Sequence, residues 1–336
     1  MSEKLFIGFD TSNYTTSLAV CDISGKVLGN FKCPLPVKEG QRGLRQSEAV
    51  FAHIKNFPLI AGKLKEFLGT LNGNYEYVAA AVSSTPRSVE GSYMPCFLSG
   101  LAVAESVCAF LDIPLYETSH QVGHVIAATA SALQDAEVSL QDFLNNDFLA
   151  LHVSGGTTDL LYVKPNSDNI ISIERIGGSS DANAGQIIDR TGVRMGFPFP
   201  CGPYIDESSL MFSEKIKGIS TSVKGLEFNL SGLENLAEKM INEKVDTSEV
   251  SAFVLEYISK SIYKSLNNAF DIYGKLPVVF AGGVMSSKYI KRRLSHIGLF
   301  SEPQYSADNA AGVAIISLLM HTKNKQFPLI MEKRDE

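Results

Sequence analysis

Residues 5–10 form a short apolar run, break into the polar stretch Thr11-Ser12-Asn13-Tyr14-Thr15-Thr16, and resume over residues 17–21. That pattern predicts strand, polar turn, strand, with Ser24-Gly25 closing the second strand and a third starting at Lys26. Residues 46–68 change to a helical period, with Val50, Ile54, Phe57, Ile60 and Ala61 on one side. Residues 77–83 read as a buried strand, and residues 95–111 as a helix of small and apolar side chains that ends before Pro114. Leu115-Tyr116 is strand-like. The next helix opens near Thr118 or Ser119, either of which can cap it.

The strand–turn–strand pattern returns at residues 148–163. Residues 148–153 run into Ser154-Gly155-Gly156-Thr157-Thr158, and residues 159–163 come back as the partner strand. Residues 176–212, rich in Gly, Asp and Pro, predict loops around one helix. Residues 236–241 and 248–273 are helical, and residues 277–281 form a strand that enters Gly282-Gly283-Val284. A basic helix follows, then a short strand at 304–306. Ala307-Asp308-Asn309-Ala310-Ala311-Gly312 opens a last apolar helix, and the chain beyond Lys323 is a polar tail. One hairpin pattern at the start of each half predicts a duplicated α/β architecture. Its parts are an N-terminal domain over residues 1–115, a C-terminal domain over 116–325 whose last helix is placed to pack back on the first, and a tail over 326–336.

Composition narrows the partners. With 336 residues, 45% hydrophobic and 20% charged, the chain is long enough for two domains with their own cores. No apolar run reaches membrane-spanning length, and the N-terminus enters a strand directly, so neither membrane nor secretory leader is expected. The five scattered cysteines form no CxxC pair and point to a reducing cytoplasm. A net charge of −6 means that the surface as a whole is not a nucleic-acid binder. Any RNA contact needs a local patch or a partner. The best patch is Lys288-Tyr289-Ile290-Lys291-Arg292-Arg293, whose plain reading is a solvated helix face.

The chain has only six histidines, and two of them, His120 and His124, are four residues apart. On a helix they share one face, where two imidazoles can grip one metal ion and a distant carboxylate, Asp308, can complete the set. The alternative is a pair that packs or caps the helix start. The two Ser/Thr/Gly-rich turns can each present N–H groups and hydroxyls as a nest for phosphate, with Asp10 beside Thr11 and Ser12 placed to hold a cation or water. Each alone is also compatible with a plain β-turn. Gly282-Gly283 after a buried strand leaves room for a base or ribose. Two phosphate hairpins followed by adenosine glycines is the order of the actin-like ATPase and sugar-kinase superfamily.

More specifically, the chain resembles the transferase subunit that makes threonylcarbamoyladenosine in tRNA, a family once described as a glycoprotein endopeptidase. Gly8-Phe9-Asp10-Thr11-Ser12 resembles the family's Gly-Ile-Glu-Thr-Ser, and His120-x-x-x-His124 its metal motif. Val153-Ser154-Gly155-Gly156-Thr157-Thr158 resembles Val-Ser-Gly-Gly-His-Thr. The segment from Asp181 to Arg190 resembles Asp-Asp-Ala-Ala-Gly-Glu-Ala-Phe-Asp-Lys, Phe228-Asn229-Leu230-Ser231-Gly232-Leu233 resembles Phe-Ser-Phe-Ser-Gly-Leu, and Ser306-Ala307-Asp308-Asn309-Ala310-Ala311 resembles Cys-Thr-Asp-Asn-Gly-Ala. The resemblance implies a duplicated actin-like fold and iron or zinc on His120, His124 and Asp308. It also implies an adenine nucleotide or threonylcarbamoyl-adenylate bound by Val153, Ser154, Gly155, Gly156, Thr157, Asp189, Gly202, Asp206, Gly282, Gly283 and Ser287. The implied reaction passes the threonylcarbamoyl group from the adenylate to an adenosine amine beside the anticodon of tRNA. The implied partners are tRNA, a smaller subunit of the same fold and an ATPase subunit.

The chain departs from the family at several places. Asn13-Tyr14-Thr15-Thr16 replaces Cys-Asp-Glu-Thr, and residues 84–95 replace a Gly-Pro-Gly loop. Thr157 stands for the histidine after the glycine pair, and Ser287 for the expected asparagine. A second class of function is therefore carried forward: a divergent nucleotide- and metal-binding paralogue that regulates or scaffolds without transfer. A protease reading lacks the glutamate of an HExxH site, since Gln121, Val122 and Gly123 intervene. A sugar kinase leaves the metal set unexplained.

Overall fold

The structure is a computed structural model and describes residues 2–12, 14–36, 44–71, 73–305 and 310–324. Asn13, residues 306–309 with Asp308, and the tail from 325 lie outside the described residues. In chain order the first elements are β1 (Glu3–Thr11), β2 (Thr15–Cys21), β3 (Val27–Pro34), α1 (Gln46–Thr70), β4 (Tyr75–Thr85), α2 (Phe97–Leu111), β5 (Leu115–Ser119) and α3 (His120–Ala132). Then come α4 (Leu140–Leu144), β6 (Phe148–Val153), β7 (Thr158–Asn166), β8 (Ile170–Ser179), α5 (Ala184–Arg194) and α6 (Gly202–Met211). The chain continues with β9 (Ser222–Lys224), β10 (Glu227–Asn229), α7 (Ser231–Asn242), α8 (Thr247–Tyr273), β11 (Val278–Ala281), α9 (Lys288–Leu294), β12 (Leu299–Phe300) and α10 (Ala311–Asn324).

Two compact units result. The first holds the chain up to Ala127, Asn166–Ser172 and the C-terminal stretch with α10; the second holds Ala128–Pro165 and Ile173–Ala307. The first unit's sheet has the order β3-β2-β1-β4-β5, and the second's β12-β11-β6-β7-β8-β10-β9. Read from β8 to β12, the second repeats the first strand for strand. Both begin with an antiparallel hairpin, β1–β2 or β6–β7, and both add a parallel strand to the first arm, β4 or β11. Central strands buried on both faces explain the near-continuous apolar runs. The first core gathers Ile7, Phe9, Leu18, Val20, Phe57 and Ile60; the second gathers Leu149, Leu151, Leu160, Phe228, Ile258 and Phe280.

Several expectations are corrected. Residues 176–212 hold two helices and the end of β8, not one helix among loops, because Gly202-Pro203 is a helix start rather than a turn. The strand expected at 304–306 is instead a 3-10 turn at Pro303–Tyr305, and the local strand is Leu299–Phe300, where Phe300 stacks on Phe280 at 4.5 Å. On α1 the core face is Ala49, Ala52, His53, Phe57, Ile60 and Leu64, while Ile54 is 57% exposed. A buried histidine with two hydrogen-bond partners sits where an apolar residue was expected, so the face is turned by one position. Helix α3 starts at His120, and the Ser119 hydroxyl accepts the Val122 N–H at 3.3 Å as its cap.

Backbone contact without side chains closes the first unit. A Cβ on Gly312 of α10 would stand 1.9 Å from the Gly123 carbonyl oxygen of α3, and one on Gly8 of β1 would stand 2.3 Å from the Ala314 nitrogen. Gly312→Ala is therefore expected to cost about 1–3 kcal/mol by overpacking. Gly62→Ala, on the exposed face of α1 with nothing within 4 Å, should instead stabilise by up to about 1 kcal/mol through helix propensity. Paired chemical denaturation curves read the opposite signs directly.

Candidate metal and nucleotide sites

The two hairpins share one turn, atom for atom. Ser12 donates its N–H to Thr15 O at 3.1 Å, and its hydroxyl accepts the N–H groups of Tyr14 and Thr15 at 3.3 and 3.1 Å. Ser154 donates to Thr157 O at 2.7 Å and accepts from Gly156 and Thr157 at 3.2 and 3.1 Å. A short side-chain oxygen that replaces a backbone acceptor closes both turns. The strand registers match as well, with Asp10 opposite Ser17 and His152 opposite Asp159. Thus Asp10 and His152 hold equivalent places.

A residue that the sequence reading missed braces the first turn. His53, fully buried on α1, places Nε2 2.9 Å from the Ser12 carbonyl oxygen and Nδ1 2.8 Å from the Thr16 hydroxyl, to which Asn56 also donates. An Nε2–H donating to Ser12 and an Nδ1 accepting from Thr16 satisfy both contacts with a neutral ring. Burial pushes the His53 imidazole below its ordinary value, and the Ser12 hydrogen bond and the Asp10 charge pull the other way without cancelling it. The only sequence signal was a histidine at i, i+4 and i+7 spacing from Ala49, Phe57 and Ile60.

Asp10, the last but one residue of β1, has no exposed surface. Its Oδ1 accepts the Ser83 hydroxyl in a short hydrogen bond and stands 2.9 Å from His120 Nδ1; its Oδ2 is buried with no hydrogen-bond partner among the described residues. His120 Nε2 faces His124 Nε2 at 3.0 Å, and the Phe97 ring meets His120 edge-on. Two nitrogens on one tetrahedral ion at roughly 2.0–2.1 Å stand roughly 3.3 Å apart, so the pair fits a metal's donor spacing. Asp308, the expected third ligand, lies outside the described residues, among which no cluster of three or more His, Cys, Asp or Glu gathers. The loop at residues 84–95 holds this helix: the Pro86 carbonyl accepts the Gln121 N–H at 3.1 Å, and the Ser88 hydroxyl donates to Ser119 Oγ at 2.9 Å.

The second unit contains a cavity of about 640 Å³. Six expected nucleotide residues line it: Gly155, Asp189, Gly202, Asp206, Gly283 and Ser287. Val153, Ser154, Gly156, Thr157 and Gly282 are not part of its lining. Gly155 and Gly156 are exposed with open space beside them. The N-terminus of α5 rests on this turn, with Gly185 N–H donating to Ser154 O at 3.2 Å and Ala184 N–H to Thr158 Oγ1 at 3.0 Å. A Cβ on Gly185 would stand 2.7 Å from Gly155 N. The start of α5 is thus packed directly against the serine turn, whose Gly155-Gly156 edge stays open.

Two cavity carboxylates already hold backbone. Asp189 Oδ1 accepts the Cys201 N–H at 2.8 Å. Asp206 accepts the Ser287 hydroxyl at 2.5 Å and the N–H groups of Lys288 and Tyr289 at 3.0 and 3.1 Å, and so caps α9. Ser287 Oγ in turn accepts Ile290 N–H at 3.2 Å. Helix α9 is tied to α8 by the buried Glu256, which takes Arg293 through two nitrogens and the Tyr289 hydroxyl at 3.0 Å. Burial and then the Asp189 charge push the Cys201 thiol up, which disfavours the thiolate.

The His53 arrangement sets a pH dependence. The folded chain binds fewer protons at this ring than the unfolded chain, whose imidazole titrates at the ordinary value of 6.5. Its contribution to stability is full above that value and is lost as pH falls from it toward the lowered folded value. Denaturation midpoints measured from pH 8 to pH 5 should fall less steeply in His53→Gln than in the wild type.

A model of the family described as tRNA N6-adenosine threonylcarbamoyltransferase matches residues 49–315. A protein of that name from Mycoplasmopsis synoviae is 24% identical over 328 residues, covering 95% of this chain and 99% of the relative. Another from Carboxydothermus hydrogenoformans is 26% identical, covering 97% and 95%. Among solved structures, full-length HypF in a phosphate- and nucleotide-bound form aligns with a TM-score of 0.55 at 13% identity, over 96% of this chain and 47% of that one. Component A of the (R)-2-hydroxyglutaryl-CoA dehydratase of Acidaminococcus fermentans aligns at 0.51 and 11%, over 95% and 99%. These likenesses concern fold alone and agree with the actin-like ATPase architecture of duplicated mixed sheets. With the family model matching well over half its length, the chain belongs to the tRNA N6-adenosine threonylcarbamoyltransferase family.

Proposed function

We propose that the chain transfers the threonylcarbamoyl group from threonylcarbamoyl-adenylate to the exocyclic amine of the adenosine beside the anticodon of tRNA. The observation that carries this reading is the cavity whose lining gathers six of the residues expected at the adenylate, beside an open serine–glycine turn and a helix N-terminus. Its volume lies within the usual range for small-molecule sites. The amine nitrogen forms a bond to the carbamoyl carbon, the bond from that carbon to the phosphate oxygen breaks, the amine loses a proton, and adenylate leaves. The leaving phosphate would lie against the open Gly155-Gly156 edge of the turn, where no Cβ blocks its approach. Asp189 would hold the ribose hydroxyls. No protein nucleophile is required, and no residue is assigned as general base. A divalent iron or zinc ion on His120, His124 and Asp308 would supply Lewis-acid polarisation of a carbamoyl or carboxylate oxygen.

Partners enter on physical grounds. An apolar groove of about 490 Å³ runs between α1 and α2, lined by Ile54, Pro58 and Ala61 on one side and Val103, Val107 and Leu111 on the other, with Phe110 92% exposed nearby. Exposed apolar surface of this kind supports the expected smaller subunit of the same fold. With it would stand an ATPase subunit and the tRNA itself. Among the described residues no helix is long and apolar enough to cross a membrane, and all five cysteines are free, which supports a cytoplasmic setting.

A second reading, a nucleotide- and metal-binding paralogue without transfer, is favoured by one observation. Ser287 stands where the family has asparagine, and both it and Asp206 are engaged in capping α9. Mass analysis of tRNA nucleosides from cells depleted of their own transferase and supplied with this chain separates the two. Restored threonylcarbamoyladenosine, lost again in His120→Ala, is the expected result. No restoration with folded, nucleotide-binding protein would favour the paralogue.

A further inference from the structure

We infer that Asp10 is a positioning residue for the metal pair: its buried carboxylate fixes the tautomer and ring orientation of His120 so that Nε2 presents a lone pair toward His124. The inference rests on the metal reading above and changes the role that the sequence suggested for Asp10, a cation or water holder at the phosphates.

The geometry argues for an inward role. Asp10 has no exposed surface, whereas a group meant to meet a phosphate through water would be open to it. One carboxylate oxygen, Oδ1, takes both the Ser83 hydroxyl and His120 Nδ1, the latter at 2.9 Å. An ionised carboxylate only accepts, so Nδ1 carries the hydrogen and Nε2 is left with its lone pair. That nitrogen is the one 3.0 Å from His124 Nε2. A carboxylate on the far nitrogen is the common way in which a metal-binding histidine is oriented and made more basic. The Asp10 backbone is itself fixed, in register with Ser17, whose hydroxyl donates to the Asp10 carbonyl at 3.3 Å.

The duplication supplies an internal control. The equivalent place in the second hairpin is His152, and that hairpin keeps an open Gly155-Gly156 turn. The first hairpin has a carboxylate instead, and Tyr14 in place of a glycine. Two copies of one turn have thus diverged, the second keeping an open glycine edge and the first setting a carboxylate against the histidine pair.

The test titrates purified full-length protein with cobalt(II), read by its visible ligand-field absorption, and with zinc against a chromophoric chelator. Asp10→Asn and Asp10→Ala should weaken metal affinity about 10–100-fold and alter the cobalt spectrum, while Asp10→Glu retains most of the affinity. His120→Ala and His124→Ala should abolish binding, which tests the metal reading itself. Ser83→Ala removes only the second donor to Asp10 and should weaken binding several-fold even where Asp10 variants fail to fold. Histidine side-chain nitrogen NMR of metal-free wild type should show His120 with hydrogen on Nδ1. Wild-type affinity and spectrum in folded Asp10→Asn or in Ser83→Ala, hydrogen on Nε2 of His120, or no metal binding by the wild type would each overturn the inference.

Discussion

Backbone-to-backbone packing at glycine is the constraint on which the first unit depends. Gly8, Gly123 and Gly312 let β1, α3 and α10 approach closer than any side chain allows. Three segments far apart in sequence are thereby fixed together: the end of β1 with Asp10, the start of α3 with His120 and His124, and the start of α10, three residues after Asp308. Interiors packed this densely shift little, so donors carried on them keep their spacing. Preorganisation of this kind is what a metal pair requires.

Around that constraint, polar groups are spent on orientation. His53 holds the turn at Ser12 from below, Ser83 and His120 share one oxygen of Asp10, and Pro86 and Ser88 hold the first turn of α3. The loop at residues 84–95 is therefore not idle sequence. In the second unit Asp206 and Glu256 do comparable work, the first by capping α9 and the second by tying it to α8. The cavity wall at Gly283, Ser287 and Lys288 is thus set by Asp206, half-buried in that wall, and by the buried Glu256 behind it.

Much of this was legible in the sequence. The hairpins were, because a buried strand pair interrupted by Ser, Thr and Gly leaves a strong local signature, and their recurrence predicted the duplication that the strand orders display. The histidine spacing and the glycine pair after β11 were legible for the same reason. What escaped was non-local. His53 looked like a polar interruption in an apolar helix, since its partners Ser12 and Thr16 lie about forty positions away. Asp10 was read outward from the chemistry of its neighbours, yet strand alternation and Ser83 turn it inward. The start of α6 was taken for a loop because Gly-Pro marks both. The outer face of α1 carries Phe51, Ile54 and Leu59, so periodicity alone could not say which apolar stripe meets the sheet.

The central claim is that this fold holds a metal on His120 and His124 with a carboxylate completing the set. X-ray absorption at the metal edge of iron- or zinc-loaded protein tests it most directly. The account predicts two imidazole nitrogens at about 2.0–2.1 Å with oxygen donors filling the rest of the shell, and loss of the imidazole scattering in the His120→Ala, His124→Ala double variant. An oxygen-only or sulfur-containing shell, or a spectrum unchanged in the double variant, would contradict it.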